Sequence, residues 1–343
     1  MDKSKDNYRI LPKVELHRHL EGSLRLPTML EVARTHGMAV PTATGPLSSL
    51  VQVQSSEPFT YQNFLAKFNT LRMFYRSPEI IQRVTREAVE DAALDHVRYL
   101  ELRFTPVALS RAERFPLGEV MDWVLESAAQ AAADTGIQVG LIASVNRHES
   151  VELAGQVARL AADRLGGGLL GLDLAGNEAE FSAEPFLGVF KEARQAGLKL
   201  TVHAGEWSGA ANVRQALEVL DADRIAHGVR ILEDPDTVRL ARERGTPFEV
   251  CITSNYQTGV VPRLGDHPAC RMLAAGLNVT LGTDDPSISQ IGLSDEYRIA
   301  CETLGMSRAT LQERILAAAQ ASFLPPEERG QLIAGLETEL KLL

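Results

Sequence analysis

The chain has 343 residues, of which 45% are hydrophobic and 23% charged, as is typical of a folded globular protein. Its formal net charge of −10 at pH 7 disfavours a polyanionic partner such as nucleic acid, but not a neutral small molecule. The cysteines are few and widely spaced, the N-terminus has no apolar signal segment, and no apolar run of about 18 residues occurs. We therefore expect a cytoplasmic protein without disulfides or membrane spans.

Short apolar or β-branched segments alternate with longer segments of helical periodicity, which is the pattern of a parallel α/β fold. The segments that predict strands are Val14–His17, Val97–Phe104, Gln138–Ser144, Leu169–Leu174, Leu198–His203, Arg224–His227, Pro247–Ile252 and Leu277–Gly282. Eight parallel strands can close into a (β/α)8 TIM barrel, and residues 1–343 are enough for one such domain.

Helical periodicity fills most of the intervals between these strands. The clearest helical segments are Leu117–Asp134, Val151–Leu165, Glu184–Gln195 and Ala210–Leu220. After the last strand, Arg308–Phe323 and Pro326–Leu342 predict extra C-terminal helices. Residues 26–96 have a helical pattern and no convincing strand. We expect them to form a helical insertion after the first strand, and a lid over the active-site face.

Histidines cluster at the ends of the predicted strands. Those at or just after a carboxyl end are His17, His19, His203 and His227. Catalysis in TIM barrels occurs at that end. Each residue alone is compatible with an ordinary polar strand end, but His17, His19 and His203 together with Asp284 would form a nitrogen and oxygen site suited to Zn²⁺. We predict one zinc ion per chain at these four residues.

Other polar residues on the same rim are candidates for the chemistry. Glu206 is either a helix cap or a general acid/base beside the metal. His227 is compatible with a further metal ligand, a core histidine, or a group that orients an attacking hydroxide, which we favour. Asp284 and Asp285 are adjacent like charges, and their repulsion is relieved if one binds the metal and the other the substrate. Gly176 is either a turn glycine or a point of close backbone approach to a ligand.

Five motifs carry these residues in chain order. They are VELHRHLEGS (14–23), DLAG (173–176), HAGE (203–206), IAHG (225–228) and GTDDP (282–286). As a set they closely resemble the adenosine deaminase family, which includes adenosine and adenine deaminases, and bacterial adenosine deaminases in particular.

The resemblance implies a TIM barrel that performs zinc-dependent hydrolytic deamination of a purine. The implied zinc ligands are His17, His19, His203 and Asp284. Glu206 would donate a proton to the purine N1, and His227 and Asp285 would position and stabilise the hydroxide. Gly176 would donate its backbone N–H to N3, and Asp285 would also meet N7. The residues expected to contact substrate are His19, Glu21, Gly176 and Asp285.

Two features of the sequence bear on the choice of substrate. Glu21 stands where typical adenosine deaminases have an Asp that receives the ribose hydroxyls, and in this it resembles adenine and 6-aminodeoxyfutalosine deaminases. The stretches CITSNYQTG (251–259) and 285–297 are more similar to bacterial adenosine deaminases. We therefore expect adenosine, with deoxyadenosine, as the substrate, and keep the other two activities as alternatives.

Two further hypotheses compete with deamination. The first is amide or phosphoester hydrolysis, but many such barrels bridge two metals with a modified lysine on the fourth strand, where this chain has Asp173. The second is a barrel that keeps zinc for structure or binds a purine without reaction. Glu206 and His227 oppose it, because a structural zinc site is closed and needs no acid/base beside it.

Overall fold

The computed structural model describes residues 7–343; residues 1–6, part of the N-terminus in which we expect no signal segment, lie outside this range. One parallel sheet contains all the predicted strands in chain order, with small shifts at their ends. They are β1 Lys13–His19, β2 Val97–Phe104, β3 Gln138–Asn146, β4 Leu169–Ala175, β5 Lys199–Ala204, β6 Arg224–His227, β7 Pro247–Val250 and β8 Asn278–Leu281. The His19 N–H donates to Asp284 O at 2.8 Å, which joins β1 to the segment after β8. The predicted TIM barrel is confirmed.

Helices connect the strands and surround the sheet. They are α1 Leu26–Thr35, α2 Thr44–Val51, α3 Tyr61–Leu71, α4 Pro78–Leu94, α5 Pro106–Ser110, α6 Leu117–Thr135, α7 Val151–Ala162, α8 Leu187–Gln195, α9 Ala210–Glu218, α10 Pro235–Arg244, α11 Ile252–Gln257, α12 Ala269–Ala274, α13 Pro286–Ser289, α14 Leu293–Glu302, α15 Arg308–Ala321 and α16 Pro326–Leu340. Within residues 7–343, none of these helices has the length and apolar character needed to cross a membrane.

The helices α1 to α4 lie between β1 and β2, where the sequence predicts a helical insertion. The helix α4 begins after Ser77, whose hydroxyl accepts a hydrogen bond from the Ile80 N–H, and Thr60 caps α3 in the same way. Phe64 and Arg72, from α3 and the short turn after it, line the cavity at the mouth of the barrel. The insertion therefore contributes one wall of that cavity.

Charged side chains occupy part of the barrel interior. Arg103 and Arg224 are fully buried. Each donates to Glu249 at 2.6 Å, and Arg224 also donates to Glu101. Because each buried charge has an opposite partner, its desolvation penalty is offset. This network holds Glu249 directly beneath the predicted site.

Two of the predicted site residues have left-handed backbone conformations, with φ of 61° at His227 and 63° at Asp284. Such a conformation is unfavourable for a residue with a Cβ and occurs often at functional sites. Side chains alternate along a strand, so regular geometry would put Arg224 and Ala226 on the inner face and turn His227 outward. The left-handed turn brings His227 back to the cavity, which it lines.

Candidate active site

A cavity of about 360 Å³ opens at the carboxyl ends of the strands. Eight of the nine predicted site residues line it, namely His19, Glu21, Gly176, His203, Glu206, His227, Asp284 and Asp285. The ninth, His17, is fully buried and lies against Asp284. The fold therefore brings together residues that are far apart in the sequence.

The four predicted zinc ligands converge at the floor of the cavity. Asp284 Oδ1 lies 3.1 Å from His17 Nε2 and 3.4 Å from His19 Nε2. His19 Nε2 lies 3.3 Å from His203 Nε2. His17, His203 and Asp284 belong with His227 to one group whose potential ligand atoms all lie within 4.8 Å of one another, whereas His19 belongs with His203 and Asp173 to a second such group.

Buried carboxylates contact two of these histidines at Nδ1, on the other side of the ring from Nε2. His17 Nδ1 lies 2.9 Å from Glu249 Oε2, and His203 Nδ1 lies 2.9 Å from Asp173 Oδ1. A carboxylate accepts a hydrogen bond from the ring N–H, which leaves the Nε2 lone pair directed at the cavity. The sequence analysis missed Glu249, although a Glu within the otherwise apolar strand β7 was a signal for it.

The donor set fits a metal ion. With both Nδ1 atoms donating to carboxylates, the Nε2 lone pairs of His17 and His203 point at other electron-rich atoms, Asp284 Oδ1 and His19 Nε2. Such contacts repel unless a proton or a cation lies between them. Imidazole nitrogens with one carboxylate are ligands that Zn²⁺ accepts. A buried His and Asp group able to hold a metal is therefore present.

Glu206 is positioned by a second glutamate that the sequence analysis did not single out. Glu178 accepts hydrogen bonds from the backbone N–H groups of Glu206 and Trp207, each at 2.6 Å, and from that of Gly205 at 3.0 Å. Glu178 thus fixes the loop after β5. Burial, together with the negative charges of Asp284, Glu178 and Asp285, raises the pKa of Glu206 well above its ordinary value.

Asp285 and Glu21 are two further buried carboxyl groups that line the cavity. Burial and the charges of Asp284 and Glu21 raise the pKa of Asp285 well above its ordinary value. Burial also raises the pKa of Glu21 to about 7. Glu21 Oε1 accepts a hydrogen bond from the Thr105 N–H at 2.5 Å, whereas Oε2 has no hydrogen-bond partner within residues 7–343.

Two glycines allow close approach in this site. Gly176 has φ of 90°, which favours glycine, and it lines the cavity. Gly22, in the motif that contains His19, lies beside Asp285, and a Cβ at this position would lie 1.9 Å from Asp285 Oδ1. A larger residue at position 22 would therefore displace the Asp285 carboxyl group.

The comparisons with known proteins agree with this geometry. The family model described as Adenosine deaminase matches residues 12–339. An adenosine deaminase from Klebsiella pneumoniae is 36% identical over 325 residues, covering 94% of this chain and 97% of its own length. One from Erwinia tasmaniensis is 36% identical over 328 residues, covering 95% and 98%. The chain belongs to the adenosine deaminase family. It is therefore a hydrolytic deaminase that acts on C–N bonds.

Solved structures share the whole fold. An adenine deaminase from Arthrobacter aurescens has a TM-score of 0.89 at 27% identity, over 96% of this chain and 99% of its own. An Arabidopsis N6-mAMP deaminase has a TM-score of 0.87 at 28% identity, over 97% and 99%. An amidohydrolase from Burkholderia ambifaria with bound Zn has a TM-score of 0.91 at 25% identity, over 100% and 94%.

Asp173→Asn should weaken zinc binding by about 10- to 100-fold, because the neutral amide no longer provides a charged acceptor for His203 Nδ1–H. Competition with a chelator measures the affinity. The exposed Asp163→Asn is the matched control and should bind zinc like the wild type. Equal affinities in the two variants would contradict the role given to Asp173.

Glu21→Gln should stabilise the protein at high pH. The pKa of Glu21 is raised from 4.5 to about 7, so ionisation of the folded wild type costs free energy that grows between these pH values and is constant above them. The variant has no such cost. Its free energy of unfolding relative to the wild type should rise by about 3 kcal/mol from pH 4.5 to above pH 7.

Denaturant unfolding at several pH values measures this difference. The exposed Glu126→Gln, in the middle of α6, is the control and should show no comparable gain. A constant difference between Glu21→Gln and the wild type across the range would show that the pKa of Glu21 is not raised.

Proposed function

We propose that this chain catalyses the zinc-dependent hydrolytic deamination of adenosine, and of deoxyadenosine, to the inosine product and ammonia. The observation that carries the proposal is the position of Glu206, a buried carboxyl group of raised pKa in the same cavity as the convergent His and Asp cluster. The proposed ligands are His17, His19, His203 and Asp284. When bound there, Zn²⁺ would lower the pKa of water and so supply the nucleophile.

The other residues provide donors that match the acceptors of a purine ring. Burial and nearby negative charge raise the pKa of Glu206, which favours its protonated form, so it can transfer a proton to N1 as water attacks C6. The raised pKa of Asp285 likewise favours its protonated form, which would donate to N7. The Gly176 N–H would donate to N3. Three donors placed around one cavity fit the three ring nitrogens of adenine that accept hydrogen bonds.

The ribose is assigned to Glu21. Its buried Oε2 atom, which has no partner within residues 7–343, would accept a hydrogen bond from a ribose hydroxyl. The adenosine deaminases that are 36% identical to this chain support this substrate. The structural similarity to an adenine deaminase keeps free adenine as the alternative, together with 6-aminodeoxyfutalosine.

We propose that residues 1–343 form one domain in which residues 26–96 cover the cavity as a lid, supported by the contribution of Phe64 and Arg72 to its wall. The partner is a small purine, since the net charge of −10 disfavours nucleic acid. A cytoplasmic location is consistent with three free cysteines.

A substrate panel tests the proposal. Zinc-loaded protein is given adenosine, deoxyadenosine, adenine and 6-aminodeoxyfutalosine, and deamination is followed by absorbance. We expect the highest kcat/KM with adenosine, loss of activity on chelation, and its return with Zn²⁺. A preference for free adenine would show that the ribose contact is misassigned, and full activity of metal-free protein would exclude the zinc mechanism.

Glu206→Gln should retain zinc but lose about 10²- to 10⁴-fold in kcat, because an amide cannot transfer the proton that N1 requires. Elemental analysis and steady-state kinetics measure the two properties. The exposed Glu192→Gln is the control and should have wild-type turnover. Turnover of Glu206→Gln within about tenfold of the wild type would contradict the acid role.

A further inference from the structure

We propose that His267 and Asn255 are positioning residues that hold His227 with its proton on Nε2, facing the reaction centre. The inference rests on the proposed function, since it concerns how His227 acts in that site. Neither residue was among those predicted from the sequence. Asn255 lies in the CITSNYQTG stretch, and His267 lies in the loop before α12.

The three side chains form a continuous buried chain of hydrogen bonds. Asn255 is fully buried, and His227 and His267 are nearly so. Asn255 Nδ2 lies 3.1 Å from His227 Nδ1, and Asn255 Oδ1 lies 3.3 Å from His267 Nε2. The Ala269 N–H donates to His267 Nδ1 at 3.2 Å.

The direction of each hydrogen bond follows from the one before it. A backbone N–H can only donate, so His267 Nδ1 is an acceptor, and the proton of the neutral ring is on Nε2. Burial lowers the pKa of His267 to about 3, which keeps the ring neutral. Its Nε2–H must donate to an oxygen, which fixes Oδ1 of Asn255 on that side.

The amide nitrogen of Asn255 then faces His227. Because an amide N–H can only donate, His227 Nδ1 is an acceptor, and the proton of the neutral ring is on Nε2. A flipped Asn255 amide would place two donors against each other at His267. The backbone at Ala269 therefore determines the tautomer of a histidine in the cavity.

This tautomer distinguishes among the roles open to His227. Its Nε2 lies 3.6 Å from Glu206 Oε2 and 3.9 Å from Asp284 Oδ2. With a proton on Nε2, the neutral ring has no lone pair there for a metal ion and cannot accept a proton at that atom. It can donate a hydrogen bond to an oxygen that attacks the purine, which is the electrostatic role.

The substitution Asn255→Asp should reverse the tautomer of His227. An ionised carboxylate only accepts, so it would accept from His267 Nε2–H and from His227 Nδ1–H, and the neutral His227 ring would then present a lone pair at Nε2. We expect kcat to fall by about 10²-fold or more, as when one donor to a developing charge is removed, with KM changed much less.

The tautomer is read directly by NMR of zinc-loaded protein labelled with ¹⁵N-histidine, with His227 assigned from the signal missing in His227→Gln. We expect the wild type to have the proton on Nε2 and Asn255→Asp to have it on Nδ1. Because the NMR measurement does not depend on turnover, failure to deaminate adenosine would refute the proposed function and leave the tautomer test intact.

His267 provides an independent pair of variants if Asn255→Asp does not fold. His267→Gln retains a side-chain N–H that can reach Asn255 Oδ1 and should keep most of the turnover and the Nε2–H tautomer, whereas His267→Phe should lose both. The exposed His36→Phe is the control. A wild-type proton on Nδ1, an unchanged tautomer in Asn255→Asp and His267→Phe, or a changed tautomer with wild-type kcat would each overturn the proposal.

Discussion

The active site depends on carboxylates buried beneath its histidines. Glu249 accepts hydrogen bonds from His17, Arg103, Arg224 and Thr201, and so joins one predicted zinc ligand to the charged interior of the barrel. With His17 Nδ1 bound to Glu249, its Nε2 faces Asp284 Oδ1 at 3.1 Å. Because two arginines also bind this carboxylate, the predicted ligand above it is preorganised.

The environment divides the carboxyl groups of the site into two classes. Burial opposes the ionisation of Glu249 and Asp173, but Arg103 and neighbouring cationic groups hold the pKa of each below its ordinary value. For Glu206 and Asp285 burial and nearby negative charge prevail, although Arg103 acts in the opposite direction on Asp285, and the pKa values of both are raised. The lowered pKa values favour the ionised form, which orients histidines, whereas the raised pKa values favour the protonated form, which can donate a hydrogen bond.

One short helix contributes to two parts of the site. Consecutive residues of α11 point to different groups: the Ser254 hydroxyl donates to Asp284 Oδ2 at 2.6 Å, and the Asn255 amide donates to His227 Nδ1. Both targets have left-handed backbone conformations. Hydrogen bonds from a packed helix hold these unfavourable conformations in place, because they specify the orientation of each side chain.

The sequence by itself determined the strands, the barrel and the candidate site residues, eight of which line the cavity, because alternating periodicity and motifs at strand ends are local signals. His17 and His19, for example, are two residues apart on one strand, so their side chains share a face whatever the geometry of the barrel. Only the tertiary structure decided how the groups are supported: Glu178 lies 28 residues from Glu206 in the sequence, and Asn255 lies 28 residues from His227. Protonation and hydrogen-bond direction depend on burial and on partners brought from other strands, and no local pattern encodes them.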